Sequence, residues 1–359
     1  MNTISNILIL GGYGRAGKNV ARLLAEHSEH HIIVAGRDSV KAKDCANELN
    51  LSFGINRVES KEVDAAERIE LNESLDEVDL VIVCLPLNTE LTENLIYSVL
   101  SSRCKTYLDI SPSEEKQKTF ELNQQLIAES NKTFVLDAGC EPGMPSVLIR
   151  FLKTINSEIK KVNINIVYRD RNMPEASIQD LLSHHEKGKV LVDGVWHQTK
   201  NSIKKINFSK GFGKLRTIPV WIPELENIHL TAEITDLEYR HAGINGVSNL
   251  VSLMWKSILR FILPIRFGVK LFKWAIKKFT KKPLGGLVDV EGFYGDEKVV
   301  IQAYHEDIYM ATAIPAAVSS LMLLEHENNT AGIFFMNAVV DISEFVSRCN
   351  KMGFNINLV

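Results

Sequence analysis

Three glycines near the start of the chain have the spacing of a loop that can hold a phosphate group. They follow the apolar run NILIL at residues 6–10, and apolar residues at helical spacing come after them. In a strand–loop–helix of this kind the first glycine allows a tight turn, the second lets backbone approach a pyrophosphate, and the third lets helix pack on strand. The helix N-terminus adds free N–H groups and a partial positive charge. The alternative is a glycine turn without a ligand. The candidate cofactor-binding residues of this loop are Gly12, Tyr13, Gly14, Arg15, Ala16 and Gly17.

The end of the second predicted strand bears on which dinucleotide such a loop would hold. The strand HHIIVAGR at residues 30–37 ends in Gly36 and Arg37, where an NAD-binding protein would place an acid for the ribose 2′-hydroxyl. The Arg37 guanidinium could instead pair with a 2′-phosphate, and Arg15 could reach the same group. If the strand ends one residue later, Asp38 could bind the ribose 2′-hydroxyl, and the cofactor could then be NAD. We therefore expect NADP, with NAD as the alternative; Arg37 could also be a solvated surface charge.

Acidic and sulfur side chains follow three further predicted strands. Ligands of an open parallel sheet lie beyond the carboxyl ends of its strands, so these side chains are expected to line the site of reaction. Asp109, Asp137 and Glu141 are the candidate catalytic residues, since a carboxyl group there could act as a general acid or base. The alternative for Asp109 and Asp137 is that each caps the helix or turn that follows. The candidate cofactor-binding residues at the remaining strand end are Cys84, Leu85 and Pro86.

The hydrophobic pattern divides the chain into two regions. Up to about residue 150, short apolar runs alternate with helical patterns, which indicates β-α-β units and a parallel sheet. Later, alternating runs at 160–169 and 227–240, with tight turns at Asp193-Gly194 and Gly295-Asp296, indicate antiparallel strands. We predict an α/β Rossmann domain plus an α+β substrate domain with a mostly antiparallel sheet.

The segment 249–283 differs from the rest of the chain in charge. It carries nine Lys and Arg residues and no acid, although the whole chain has a net charge of −3. Basic residues interrupt its apolar run and Pro264 should break it, so it predicts two basic amphipathic helices rather than a membrane-spanning one. One interpretation is an interfacial membrane helix, or a lid over an apolar or anionic substrate. The other is a helical hairpin that packs on the sheet or on a second subunit.

The remaining composition narrows the class of protein. The 359 residues are 45% apolar and 24% charged, which is ordinary globular usage and enough for two domains. The net charge gives no reason to expect nucleic-acid binding. The five cysteines form no C-x-x-C pair, and His184 and His185 are interpreted as surface residues, so no metal site is predicted. The first residues lack a basic region and a cleavage site, so we expect a cytoplasmic protein, with peripheral membrane association through 249–283 as the alternative.

Several segments together resemble the saccharopine dehydrogenase-like family of NAD(P)-dependent oxidoreductases. The resemblance covers most of the first 150 residues or so and about the last 55. It implies a Rossmann domain, then a substrate domain, with the C-terminal segment packing back on the first domain. The segments that carry it are ILILGGYGRAGKNVARLL, IIVAGRDSVKAKDCANEL, VDLVIVCLPL, TYLDIS, LDAGCEPGMPSVLIR, DIYMATAIPAAVSSLMLL and EFVSRCNKMGFNINL. The expected domains are a Rossmann NAD(P)-binding domain at 1–140, an α+β substrate and dimerisation domain at 141–325 with a basic helical insert at 247–283, and the returning segment at 326–359.

The resemblance also implies a reaction. Members of the family typically reduce an imine formed between an amine and a carbonyl compound, or oxidise the resulting secondary amine. We therefore expect hydride transfer at a C–N bond of a small amino-acid-like substrate, in a homodimer. Because more distant relatives reduce carbon–carbon double bonds, an enoyl-type reductase for a lipid or polyketide-like substrate is one alternative. A non-catalytic dinucleotide-binding protein is the other.

Overall fold

The computed structural model describes residues 4–183, 188–199, 202–226, 228–325 and 331–359. His184 and His185 lie outside these residues. The strands are β1 (Asn6–Leu10), β2 (His31–Gly36), β3 (Val58–Glu62), β4 (Leu80–Val83), β5 (Thr106–Asp109), β6 (Thr133–Leu136), β7 (Lys161–Arg169), β8 (Lys189–Val192), β9 (Val195–Gln198), β10 (Lys204–Phe208), β11 (Gly213–Pro219), β12 (Asp236–Ala242), β13 (Gly285–Tyr294), β14 (Glu297–His305), β15 (Gly332–Phe335) and β16 (Asn355–Leu358). The helices are α1 (Arg15–His27), α2 (Ser39–Phe53), α3 (Arg68–Leu75), α4 (Thr89–Ser101), α5 (Glu114–Leu122), α6 (Gln124–Ala128), α7 (Met144–Ile155), α8 (Glu175–Ser183), α9 (Ile228–Thr231), α10 (Gly246–Ser257), α11 (Ile265–Phe279), α12 (Ile308–Glu325), α13 (Met336–Val339) and α14 (Ile342–Lys351).

Internal contacts divide the chain into two compact units. The first unit is Met1–Val147 with Tyr309–Gly353, and the second is Leu148–Ile308 with Phe354–Val359. Almost all of α12 therefore belongs to the first unit, although its residues lie within the predicted second domain at 141–325. The final strand β16 pairs with β14 in the second unit, whereas the sequence predicts that the segment 326–359 packs on the Rossmann domain. These bounds differ because each late segment joins the core that buries its apolar face.

The first unit contains a parallel sheet in the order β15-β6-β5-β4-β1-β2-β3. From β6 to β3 this is the doubly wound order of a Rossmann domain, with its crevice between β1 and β4, where the strand order reverses. The central strands are continuous apolar runs buried on both faces, as helices on each side of a parallel sheet require. The predicted Rossmann fold is confirmed. Pattern reasoning missed β3 because its sequence, VESKE, is mostly charged and exposed at the sheet edge.

The second unit contains a mixed sheet in the order β10-β11-β12-β7-β13-β14-β16, to which β8 and β9 add a hairpin beside β12. Among the strand pairs that the structure describes in this sheet, β12 and β7 are parallel and the others are antiparallel. The α+β class with a mostly antiparallel sheet is therefore confirmed. The predicted strand at 227–240 is wrong in its first part, because residues 228–231 form α9 and β12 begins only at Asp236.

The long apolar helix α12 is a core helix of the first unit. Among the described residues it is the one helix long and apolar enough to cross a membrane, and 67% of it is buried inside the protein. Its buried residues occupy every face rather than one stripe, as expected for a helix surrounded by protein. Homodimerisation and a cytoplasmic location stay predictions.

Candidate active site

The glycine loop between β1 and α1 is packed more tightly than any side chain would allow. A Cβ added at Gly17 would lie 2.3 Å from the carbonyl oxygen of Gly11, and one at Gly14 would lie 3.0 Å from the same atom. Gly11 has a left-handed backbone with φ 75°, and a Cβ there would meet the Cys84 carbonyl oxygen at 2.8 Å. The left-handed turn thus falls on Gly11, although Gly12 was expected to make it. The loop lies at the crevice between β1 and β4.

The N-terminus of α1 is open to a ligand. Its N-cap residue, Gly14, makes no side-chain cap hydrogen bond, and the first turn contains no acid. The first N–H groups of a helix have no partner within the helix, so they can donate to a phosphate. The loop therefore fits the pyrophosphate of a dinucleotide, as the spacing of its glycines predicts.

Residues at the end of β2 define the expected place of the adenosine ribose. A Cβ at Gly36 would meet the ring of Tyr13 at 2.6 Å, so a side chain at this position would have to displace that ring. The Tyr13 hydroxyl accepts a hydrogen bond from the backbone N–H of Asp38 at 3.2 Å. The Asp38 carboxylate caps α2 by accepting from the Lys41 N–H at 3.1 Å, and it pairs with Lys41 Nζ at 2.8 Å. The Asp38 carboxylate, the acid that the sequence offers for binding the ribose 2′-hydroxyl of NAD, therefore already has partners.

The two arginines proposed for the 2′-phosphate differ in their surroundings. Arg37 is exposed, and no carboxylate among the described residues forms an ion pair with it. The Arg15 guanidinium instead lies 4.1 Å from the ring centroid of Tyr309 at the start of α12, a cation–π contact. Arg37 is therefore the better placed of the two to meet a phosphate.

A buried lysine, Lys116 of α5, joins two of the three candidate catalytic acids. Lys116 Nζ donates to Asp109 Oδ1, to Asp137 Oδ1 and to the carbonyl oxygen of Ser111, each at 2.6 Å. The side chains of Lys116 and Asp109 are 0% exposed and that of Asp137 is 2% exposed. The helix after Asp109, α5, is capped instead by Ser113, whose side chain accepts from the Lys116 N–H. Together the two acids fix the carboxyl ends of β5 and β6 around one cation.

Further hydrogen bonds complete this cluster. The Tyr107 hydroxyl donates to Asp109 Oδ2 at 3.1 Å, the Asp137 N–H donates to Asp109 Oδ1 at 3.2 Å, and Gln117 Nε2 donates to Asp137 Oδ2 at 2.9 Å. Because both carboxylates and the ammonium have partners, the cluster avoids the cost of an unpaired buried charge. We define the Lys116 cluster as Tyr107, Asp109, Lys116, Gln117 and Asp137.

Burial and mutual charge set the ionisation of this cluster. Burial raises the pKa of Asp109 to about 6; Lys116 opposes this rise and the Asp137 carboxylate adds to it. Burial alone would lower the pKa of Lys116, but its two carboxylate partners outweigh burial and raise it. Burial, with help from Asp109, raises the pKa of Tyr107 well above its ordinary value. Lys116 therefore stays charged and Tyr107 stays protonated at neutral pH.

The loop after β6 brings the third acid beside these strand ends. Asp137 has a left-handed backbone with φ 58°, and a Cβ at Gly143 would lie 2.4 Å from the carbonyl oxygens of both Asp137 and Gly139. The loop thus turns back on itself within seven residues. Glu141, at its tip, is half-buried, in contrast to the enclosed Asp109 and Asp137.

The remaining candidates at the end of β4 line the same crevice. Cys84 follows β4 directly, and its backbone lies against Gly11. Burial, with a smaller effect of Asp109, raises the pKa of the Cys84 thiol to about 12, so it is not a nucleophile at neutral pH. Leu85 is half-buried and Pro86 is exposed. Among the described residues, no group of three or more His, Cys, Asp or Glu side chains could hold a metal ion.

Sequence reasoning missed Lys116, Tyr309 and the part played by Tyr13. A signal for Lys116 was present, because it precedes the core residue Phe120 by four positions and so shares the buried face of α5. A lysine on a buried face requires a partner, and the neighbouring strands end in two aspartates. Nothing in the pattern places Tyr309 against Arg15, since almost 300 residues separate them in the chain.

The fold and this crevice define a Rossmann-type dinucleotide-binding domain joined to an α+β domain. Residues 7–134 match the family described as the saccharopine dehydrogenase NADP binding domain. The first domain therefore resembles that NADP-binding domain, and the family model supports the resemblance stated for the sequence. The match supports binding of a nicotinamide dinucleotide, with NADP favoured and NAD as the alternative.

Two solved structures share the fold along nearly the whole chain. A saccharopine dehydrogenase (L-Glu forming) from Saccharomyces cerevisiae superimposes with a TM-score of 0.66 at 12% identity, covering 99% of this chain and 100% of that one. A homospermidine synthase from Legionella pneumophila, solved in complex with NAD, superimposes with a TM-score of 0.64 at 11% identity, covering 99% and 91%. At these identities the likeness is one of fold. No curated protein matches the chain by sequence.

Proposed function

We propose that the protein is an NADP-dependent oxidoreductase that transfers a hydride to or from a C–N bond of a small amino-acid-like substrate. The choice of NADP over NAD is supported by the end of β2. There Tyr13 fills the space above Gly36, and the Asp38 carboxylate pairs with Lys41. Positions 36 and 38 then offer no free acid to a ribose 2′-hydroxyl, and the exposed Arg37 offers a guanidinium to a 2′-phosphate. The proposal that the reaction takes place at a C–N bond is supported by the family resemblance and by the fold shared with a saccharopine dehydrogenase and a homospermidine synthase.

Different residues of the crevice have different roles in such a reaction. The bound nicotinamide supplies or accepts the hydride. The glycine loop and the N-terminus of α1 hold the pyrophosphate, and the ends of β4, β5 and β6 form the floor of the crevice. Because Asp109 and Asp137 are enclosed and both paired with Lys116, they position the strand ends. Glu141, the half-buried acid of the three, is the proposed partner of the substrate nitrogen and of the proton that it gains on reduction.

Replacing Arg37 by Gln tests the cofactor. We expect the Kd for NADPH to rise about 10- to 100-fold, because a charge-assisted hydrogen bond contributes about 1.5–3 kcal/mol, while the Kd for NADH changes less than about 3-fold. Nicotinamide fluorescence on titration measures both. The matched control is Arg22→Gln, an exposed arginine on α1. Equal losses for the two cofactors, or a wild-type protein that prefers NADH, would contradict NADP as the cofactor.

A substrate screen tests the reaction. We expect the protein to oxidise NADPH when a 2-oxo acid and a primary amine are present together, and not with either alone, because their imine is the acceptor. Glu141→Gln should lower kcat about 10²- to 10⁴-fold while the Kd for NADPH stays unchanged. Oxidation driven by an enoyl thioester instead would favour the lipid-type reductase. Tight NADPH binding without turnover of any acceptor would favour a non-catalytic protein.

A further inference from the structure

The basic insert forms a helical hairpin that is held by an apolar cluster on its buried side. Helices α10 and α11 meet where Trp255 lies against Gly268, at which a Cβ would be 2.6 Å from the indole ring. The apolar cluster that holds the hairpin also includes α8 of the same unit. Its buried members are Ile178, Leu182, Ile244, Val251, Trp255, Val269, Phe272, Ala275 and Ile276. Pro264 forms the N-cap of α11, which confirms the predicted break between two helices.

The outer side of this hairpin is also apolar, and it is exposed. Eleven of the 26 exposed large apolar residues of the described chain lie between residues 250 and 279, so they form a patch rather than a scatter. At the tip between the helices, Phe261 is 74% exposed and Ile262 is 70% exposed. We define the hairpin surface as Leu250, Leu253, Met254, Ile258, Phe261, Ile262, Leu263, Phe267, Leu271, Trp274 and Phe279.

Basic side chains accompany this surface. The segment 249–283 has nine Lys and Arg residues and no acid. Three of them lie over aromatic rings of the hairpin surface: Arg260 over Phe261 at 4.5 Å, Arg266 over Phe267 at 5.6 Å, and Lys278 over Trp274 at 5.6 Å. Exposed aromatic rings with adjoining cations are typical of helices that lie in the headgroup region of a bilayer.

The dimensions of the hairpin favour lying in a membrane surface over crossing the membrane. Helix α11 has 15 residues and α10 has 12. At about 1.5 Å per residue the longer helix spans roughly 22 Å, which is less than the roughly 30 Å of a hydrocarbon core. A helix lying in the headgroup region has no such length requirement.

We propose that the hairpin surface docks the protein on an anionic lipid bilayer. A second copy of the chain would bring two surfaces of the same positive charge together, which disfavours a symmetric contact through this face. A soluble apolar ligand would fill only the groove of about 390 Å³ between Trp255, Leu263, Phe267 and Trp274. Such a ligand would leave the tip residues Phe261 and Ile262 in water, whereas a bilayer covers both tip and groove. This inference does not depend on the reaction proposed above.

Vesicle flotation with the full-length protein tests the apolar half of the proposal. Wild type should float with vesicles that contain about 30% phosphatidylserine in phosphatidylcholine. The double variant Phe261→Ser/Ile262→Ser should lose at least about 10-fold in partition coefficient, because it removes two exposed apolar side chains without touching the packed side. The matched control is Leu51→Ser/Ile69→Ser, two residues of the first unit that are 84% and 77% exposed. This control should float like wild type.

A second set of variants tests the charge half. Lys270→Gln/Lys277→Gln/Lys278→Gln should weaken binding about 100-fold, at roughly 5-fold for each lysine near an anionic surface. Added salt should weaken wild-type binding in the same direction. The matched control is Lys160→Gln/Lys205→Gln/Lys214→Gln, three exposed lysines elsewhere in the second unit, and it should bind like wild type.

Three results would overturn the proposal. Equal binding to pure phosphatidylcholine vesicles would show that the surface does not recognise anionic lipid. Absence of flotation, together with a dimer that Phe261→Ser/Ile262→Ser dissociates, would assign the surface to a second copy. Absence of flotation, together with saturable binding of a soluble acyl thioester that the same variant abolishes, would assign it to an apolar ligand.

Discussion

Replacing Gly17 by Ala is expected to abolish NADPH binding. The new Cβ would lie 2.3 Å from the Gly11 carbonyl oxygen and 2.9 Å from the Gly12 Cα, and both are backbone atoms that no rotamer change can move. Helix α1 must therefore shift away from β1 and carry its N–H groups away from the pyrophosphate. Losing two hydrogen bonds to a charged group at about 1.5–3 kcal/mol each predicts a rise in Kd of at least about 100-fold. Fluorescence titration with NADPH measures it.

A second variant of the loop and a control variant elsewhere show whether a loss of NADPH binding is specific to this loop. Gly14→Ala adds a Cβ 3.0 Å from the same oxygen, at the half-exposed N-cap of α1, so it strains the fold less and should still weaken NADPH binding. Gly246→Ala is the matched control, since it adds a methyl group in open space at the first residue of α10. Normal NADPH affinity in folded Gly17→Ala and Gly14→Ala proteins would contradict the assignment of this loop to the pyrophosphate.

Replacing Lys116 by Met is expected to lower the free energy of unfolding by about 3–5 kcal/mol at neutral pH. Two buried carboxylates would then face each other without the ammonium that now lies 2.6 Å from both. Removing one partner of a buried ion pair leaves an uncompensated charge, which is more costly than the pair itself was favourable. Thermal and urea denaturation measure the loss. The control is Lys118→Met on the exposed face of the same helix, which should change stability by less than about 0.5 kcal/mol.

The loss should also depend on pH. The folded pKa of Asp109, about 6, already exceeds its ordinary value of 3.8. A carboxyl with a raised folded pKa binds more protons when folded, so its stabilisation is complete below about pH 4 and is lost as pH rises through the folded pKa. Without Lys116 this pKa should rise further. Lys116→Met should therefore lose less stability at pH 5 than at pH 8. An equal loss at both values would show that the Asp109 and Asp137 charges are not what Lys116 balances.

The strands and helices around the glycine loop could be predicted from sequence, because each depends on neighbours in the chain. The strand before Gly12, the helix after Gly17 and the end of β2 at Gly36 all follow from local apolar patterns. The same reasoning placed Asp109 and Asp137 at the carboxyl ends of β5 and β6. It could not tell a capping or catalytic acid from one half of an ion pair, because the partner Lys116 lies on another element.

For the hairpin, the helices could be predicted from sequence but the buried face could not. Its two helices and the break at Pro264 follow from composition and from the fixed φ of proline. Which apolar face would be buried could not be predicted, because α11 is apolar on two sides. Val269, Phe272 and Ile276 face the core, while Phe267, Leu271 and Trp274 are exposed. Only the packing of α8 and α10 against α11 decides between these faces.

The pairing of β15 with β6 sets the time at which the first sheet can be finished during synthesis. Thr133 of β6 lies opposite Gly332 of β15, so nearly 200 residues emerge from the ribosome between the two partners. At about 5–20 residues per second this takes roughly 10–40 s. Over that interval the nascent chain carries an unpaired apolar strand edge and lacks α12, the helix buried in the core of the same unit. The first sheet and the core of its unit are therefore completed only when translation is nearly finished.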